Sequence, residues 1–402
     1  MFLRLANTPR NYSWGSLSGI SDLLGTKPSG RPEAELWLGT HGASPTWLVE
    51  HDEGYATLNE FVFAEGDRLL GSGESVPFLL KVLAAEQPLS LQAHPSPAQA
   101  RQGFARENAA GIALDAPDRN YRDDQAKPEI IVAVSDEFVA LSGFRPIARS
   151  LAMMRELLAA GGEVSALQRF VEALEERATH NHGDALAWCV THLLTDSPEA
   201  RAVTSELIAM AQETLQVDNE VLAIVRDVAP LYPSDTGVAL ATLLNRVSLA
   251  RGEAIFLPAG NLHSYVRGTG IELMNCSDNV LRGGLTQKHI DIPELTSVLD
   301  FSELDDPRIE STNLGAGLTA YAPRDCGFVL YHYRSPDAGE EPSPAITLHD
   351  GAIGLCTEGS LTLRGARGTL TLTRGNAVFA STDEGQLSCS GQGEMFIATS
   401  VG

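Results

Sequence analysis

The rhythm of apolar and polar positions changes twice along the chain. Up to about residue 145, short apolar runs stand between breaks rich in Gly and Pro: PFLLKVL, LSLQAHP, PEIIVAV and EFVALSGF. Runs of that length with such flanks predict strands rather than helices. From about Ile147 to Arg226 the rhythm lengthens. RSLAMMRELLAA, VSALQRFVEALEERA and ARAVTSELIAMAQETLQ repeat apolar residues three and four apart, with strong helix formers between them and little Gly or Pro. This pattern predicts a helical insertion. Beyond LYPSDTG the strand rhythm returns, with alternations such as SLTLRG and GTLTLTRGNAVF.

One internal echo bears on architecture. Arg251–Leu257 reads RGEAIFL and Arg374–Ala380 reads RGNAVFA, each a glycine turn entering an apolar strand. Two related β-units predict a mainly β chain of paired jelly-roll barrels carrying the helical insertion. Only the first copy runs on into PAGNLHSY, with a histidine just after the strand. One barrel is therefore expected to be chemical and the other structural.

Composition narrows the function classes. With 402 residues, 43% hydrophobic, the chain can bury a large core in two or three domains. Twenty-nine Lys and Arg face 52 Asp and Glu, a net charge of −23 that argues against a nucleic-acid partner. Any phosphorylated ligand would need a local cationic pocket, so the four lysines, Lys27, Lys81, Lys127 and Lys288, each draw notice. Five cysteines without CxxC spacing fit a reducing compartment. No run reaches the roughly 18 apolar residues of a membrane span. Arg4 and Arg10 interrupt the N-terminal segment before a secretory signal could form. The expectation is a cytoplasmic protein without a membrane partner.

Three segments could carry chemistry. In LSLQAHP, Gln92 and His94 lie two apart, so a strand would point both at one cavity, where an amide oxygen and an imidazole can ligate a cation. Alone, such a pair more often serves structure. Lys127-Pro128-Glu129 opens the apolar run IIVAV, which puts an ammonium and a carboxylate on one face; alone it reads as a surface ion pair. The stretch from Phe256 to Asp291 holds His263 after a Pro-Ala-Gly turn and Glu272 inside an apolar strand. Ser277, Asp278, Asn279, Arg282, Gly283, Gly284 and Lys288 follow. An unpaired carboxylate among apolar neighbours is costly, and paired glycines let backbone approach a ligand closely. Together Gln92, His94, Glu129 and His263 offer two nitrogens and two oxygens. That set suits Zn²⁺ and leaves Mn²⁺, Fe²⁺ and Co²⁺ open.

AELWLGTH, PFLLKVLAAEQPLSLQAHP, DDQAKPEIIVAV, ALSGFRP, YPSDTGV, FLPAGNLHSY and IELMNCSDNVLRGGLTQKHID resemble the type I phosphomannose isomerase family, in that family's order. The resemblance covers residues 1–146 and 231–295; QxHP, KPE and SDNxxRxGLTxK in combination make it specific. It implies a metal-binding cupin barrel from 1–146 and 231–310, a helical domain at 147–230 and a C-terminal jelly roll at 311–402. It implies one Zn²⁺ per chain held by Gln92, His94, Glu129 and His263, an active-site Arg282, and Ser90 and Lys288 at substrate phosphate. Lys127 and Glu272 would handle protons. Ala126 stands where many members carry His, and Gln287 where they carry Pro.

The implied activity interconverts mannose 6-phosphate and fructose 6-phosphate through a cis-enediol, in a monomer whose only partner is a small sugar phosphate. A metal-binding cupin that senses sugar phosphates without converting them is the alternative, and a metal-dependent oxygenase a third.

Overall fold

The computed structural model describes residues 1–49, 54–71, 75–160, 165–213, 218–324, 326–336 and 342–401. Two antiparallel ten-stranded sheets and a helical layer organise them.

The first sheet is built around one long strand, His263–Asn275. It pairs with Phe78–Ala85, Gln92–Ala93, Glu129–Ala133 and Glu137–Phe144. Covered on both faces, Phe78–Ala85 and Glu129–Ala133 are buried at every position, which explains their nearly unbroken apolar sequences. The exceptions, Lys81 and Glu129, are buried polar groups that need partners.

Between the strands Glu137–Phe144 and Leu244–Ala250 all described elements are helices. Ile147–Ala160, Ser165–Ala178, His182–Leu194, Pro198–Glu213 and Glu220–Val228 share one apolar cluster with Leu91, Ala93, Leu281 and Leu285. The helical layer therefore packs onto the loops flanking Gln92 and Arg282. None of the described helices is long and apolar enough to cross a membrane.

The second sheet repeats the first in outline. Leu244–Ala250, the turn Arg251–Gly252 and Ala254–Leu257 correspond to Thr369–Thr373, Arg374–Gly375 and Ala377–Ala380. Gly252 and Gly375 take φ of 88° and 85°, a left-handed turn that favours glycine in both copies. The long strand that follows, His263–Asn275 or Gln386–Ser400, closes each unit. The echo in the sequence is an echo in topology.

Two features depart from the sequence reading. Phe2–Ala6 pairs with Ala377–Ala380 and with Trp47–Leu48, so it belongs to the C-terminal sheet rather than to the 1–146 unit. Leu3 and Leu5 bury there on one face, a pattern that fits either sheet equally well. Helices Leu58–Leu70 and Pro97–Ala109 interrupt the strand-rich first third. Pro97–Ala109 buries only Ala100, Gly103 and Glu107, so apolar spacing could not reveal it. Its start is fixed instead by a capping box between Ser96 and Gln99, with Pro97 in the first turn.

Candidate active site and metal centre

His94, Glu129 and His263 converge although distant in sequence. One donor atom from each lies within 4.8 Å of the others, and all three residues are buried. Local structure fixes the imidazoles. His94 Nδ1 lies 2.7 Å from the Asn279 carbonyl, and His263 Nδ1 lies 3.0 Å from the Asn261 carbonyl. A carbonyl oxygen only accepts, so both rings carry their proton on Nδ1 and present a bare Nε2. Those Nε2 atoms face Glu129 Oε1 at 3.4 Å and Oε2 at 3.5 Å. His94 Nε2, His263 Nε2 and Glu129 Oε2 are buried with no hydrogen-bond partner. Lone pairs aimed at lone pairs repel unless a cation stands between them, and two imidazoles with a carboxylate suit zinc. Burial lowers the His94 pKa to about 4, so the ring stays neutral at physiological pH. Gln92 is the residue opposite His263 in the register, and Arg282 lies opposite Gln92 on its other side. Directly paired residues project to one face, which sets Gln92 and Arg282 beside the cluster.

A second layer surrounds it. Lys127 Nζ lies 3.1 Å from Glu129 Oε1, so this pair is buried rather than on the surface. Burial opposes ionisation of Glu129, but the Lys127 ammonium beside it works the other way, and the carboxyl lies well below its usual range. Glu272 accepts from Lys81 Nζ at 3.0 Å and from the Tyr265 hydroxyl at 2.9 Å. Lys81 also lies 3.7 Å from Glu35. Burial raises the Glu272 pKa, with Lys81 working against it. Burial alone would neutralise Lys81, yet Glu272 and Glu35 keep it charged. Three buried carboxylates (Glu35, Glu129, Glu272) thus meet two buried ammoniums (Lys81, Lys127). A dication at the cluster would reverse that negative excess.

Cations mark the other side of the site. Burial and Arg122 lower the Arg282 pKa; burial, Arg282 and Arg122 lower that of Lys288. Among the described residues none of these three side chains has an ion-pair partner, despite the chain's 52 acids. Ser90 is half-buried just before Leu91, with no hydrogen bond to its side chain among the described residues.

The sequence named Asn279 without a task, and the structure supplies one. Asn279 accepts from the Arg122 and Asp123 N–H groups at 2.7 and 3.2 Å and donates to the Gln125 carbonyl at 2.9 Å. Its own carbonyl orients His94, so it joins the segment before Lys127 to the metal centre. Tyr265 and Glu35 were missed, and Lys81 drew notice without being given a role. Lys81 had a signal, being one of four lysines and the one set inside an apolar run.

Known proteins resemble this chain along its length. A family model for the catalytic domain of type I phosphomannose isomerase matches residues 2–147. Mannose-6-phosphate isomerases of Shigella flexneri and Escherichia coli K12 are 33% and 32% identical, each over 98% of this chain and 98% of their own. The rat enzyme is 29% identical over 93% of this chain and 92% of its own. A solved mannose 6-phosphate isomerase bound with zinc and yttrium superposes with a TM-score of 0.85 at 32% identity, covering 99% of both chains. The Salmonella typhimurium enzyme bound to fructose 6-phosphate and zinc gives 0.86, with the same identity and coverage. A third of the residues are shared end to end, and the buried ligand cluster lies within the matched length. The chain therefore belongs to the type I phosphomannose isomerase family.

Proposed function

We infer that the chain interconverts D-mannose 6-phosphate and D-fructose 6-phosphate, with one Zn²⁺ per chain. The observation that carries this reading is the buried His94–Glu129–His263 cluster, whose Nε2 and Oε2 atoms have no hydrogen-bond partner among the described residues. A sensor would need the ligands and cations but not the buried Lys81–Glu272–Tyr265 network.

Gln92, His94, Glu129 and His263 would hold the ion. When bound there, Zn²⁺ supplies fixed positive charge for sugar oxygens that become negative. The chemistry is carbon proton transfer. A base takes the C2 proton of the open-chain aldose; the C–H electrons form the C1–C2 double bond and the carbonyl electrons go to O1, giving a cis-enediolate, and the hydroxyl proton passes from O2 to O1 by way of the cis-enediol. Return of the proton to C1, as O2 becomes a carbonyl, gives the ketose. Such a base works best with a pKa drawn toward neutrality, and the Glu272 pKa is raised by burial. Glu272 is the proton carrier, oriented by Lys81 and Tyr265, and Lys127 positions a sugar oxygen. Arg282, which stays protonated, faces the developing negative charge. Lys288 and Ser90 hold the phosphate.

The two sheets are cupin-type jelly-roll barrels, divided as 1–146 with 231–310, a helical unit at 147–230 and 311–402, less the N-terminal strand that crosses over. The protein acts as a cytoplasmic monomer on a small-molecule substrate. A coupled assay for fructose 6-phosphate, combined with C2-hydrogen exchange into solvent, tests the reading. Exchange is expected in the parent, to fall in Glu272→Gln, and to persist at reduced rate in Lys127→Met. Exchange at the parental rate in Glu272→Gln removes Glu272 as the carrier.

A further inference from the structure

The YPSDTG segment, marked out by the sequence but given no task by the chemistry above, lies against the loop that carries Arg282 and Lys288. Asp235 accepts from the Gly237 N–H at 2.7 Å through Oδ1 and from the Thr286 N–H at 3.0 Å through Oδ2. Thr286 Oγ1 in turn accepts from the Lys288 N–H at 3.1 Å. Contact here is close. A Cβ added to Gly237 would come within 2.7 Å of Gly284 Cα, and one added to Gly284 within 2.6 Å of Gly237 Cα. The loop is also bent against preference, since Gly284 has φ 118° and Leu285, a branched residue, has φ 53°. At its start it is tied to the strand bearing Gln92, with Gly283 N–H donating to the Leu91 carbonyl at 2.8 Å and Leu91 N–H to the Gly284 carbonyl at 3.0 Å. Leu285 then buries in the helical layer's apolar cluster. This conformation gathers like charges, Arg282, Lys288 and Arg122, which favour spreading apart.

We propose that Asp235 is a positioning residue that fastens the Arg282–Lys288 loop in the shape that grips the substrate phosphate. The proposal rests on the isomerase reading. Asp235 touches no reacting atom and has no ion pair among the described residues; both carboxylate oxygens are used on backbone N–H groups. The helical layer thereby sets the affinity of a site built on the β-sheet, because the turn at Asp235 joins the two.

The test uses the full-length zinc-loaded protein. Asp235→Ala is expected to raise KM for mannose 6-phosphate about tenfold while kcat falls less than about threefold and zinc content stays at one per chain. Inhibition by inorganic phosphate should weaken by a similar factor. In a Lys288→Ala background the same change should add less than about twofold, since the group it positions is gone. Thr286→Val, which cuts only the Thr286–Lys288 link, should raise KM in the same direction by a smaller factor, and it serves if Asp235→Ala does not fold. A fall in kcat at unchanged KM, or full additivity with Lys288→Ala, overturns the proposal. If the parent shows no isomerisation, calorimetric binding of inorganic phosphate to parent and variants still decides it separately: equal affinities overturn it.

Discussion

A carbonyl placed behind an imidazole decides which nitrogen can bind a metal. The Asn279 and Asn261 carbonyls do this for His94 and His263, and the asparagine side chain at 279 pins the backbone that supplies one of them. Groups behind metal ligands typically contribute 10–100-fold in affinity. Asn279→Ala is therefore expected to weaken zinc binding by about 10–100-fold, as read by chelator competition, without unfolding the chain. Lys288 calls for a different measurement. A lost hydrogen bond to a charged group costs about 1.5–3 kcal/mol, so Lys288→Ala should raise KM for mannose 6-phosphate at least about tenfold. Unphosphorylated mannose should be nearly unaffected; an equal change for both sugars would mean that Lys288 does not meet the phosphate. At this scale the sequence was informative where residue type and spacing coincide. Gln92 and His94, and Lys127 and Glu129, are pairs whose spacing implies a shared face. Lys81 was hidden because its partner Glu272 lies on another strand, and only the register brings them together.

The duplicated turns do more than reverse the chain. Arg251 leaves its turn to reach Glu394 Oε2 at 2.6 Å, crossing from the first sheet to the second, while Arg374 in the other copy donates to the Leu23 carbonyl at 2.9 Å. Glu394 is buried and also meets His332 Nε2 at 3.0 Å and the Thr357 hydroxyl at 2.8 Å. Burial opposes its ionisation, but His332, Thr357 and Arg251 outweigh that and lower its pKa from 4.5 to about 2. The resulting stabilisation is complete above pH 4.5 and disappears as pH falls through that window toward 2. Removing one partner of a buried pair costs about 3 kcal/mol. Glu394→Gln should lose stability of that order in urea unfolding at pH 7, and the gap to the parent should shrink at pH 3. Helix positions were legible where apolar spacing carries the fold, as in the helical layer. They were not legible for Pro97–Ala109, which a cap specifies and whose surface is polar.

Across the whole molecule, the ligand set joins strands that are remote in sequence, so metal binding closes long loops as well as serving chemistry. A ligand that binds only the folded state stabilises it by about 2.7 kcal/mol at a hundred times its dissociation constant. Chelation should therefore lower the first thermal transition by a few degrees, and His94→Ala should show the lower value with or without chelator. An unchanged transition in the parent would argue against a tightly held ion. Global charge and local charge have opposite signs here: a chain of net charge −23 sets Arg122, Arg282 and Lys288 at one spot without an ion-pair partner among the described residues. Composition alone predicted that such a spot must exist for a phosphorylated ligand but could not say where.

The pairing of Phe2–Ala6 with Ala377–Ala380 also bears on birth order. This strand has to wait for a partner translated roughly 370 residues later. At roughly 5–20 residues per second the delay is on the order of 20 to 75 seconds. Throughout that interval Phe2–Ala6 has only the two-residue strand Trp47–Leu48 to pair with, so Leu3 and Leu5 wait for Ala377–Ala380 before the second sheet can cover them.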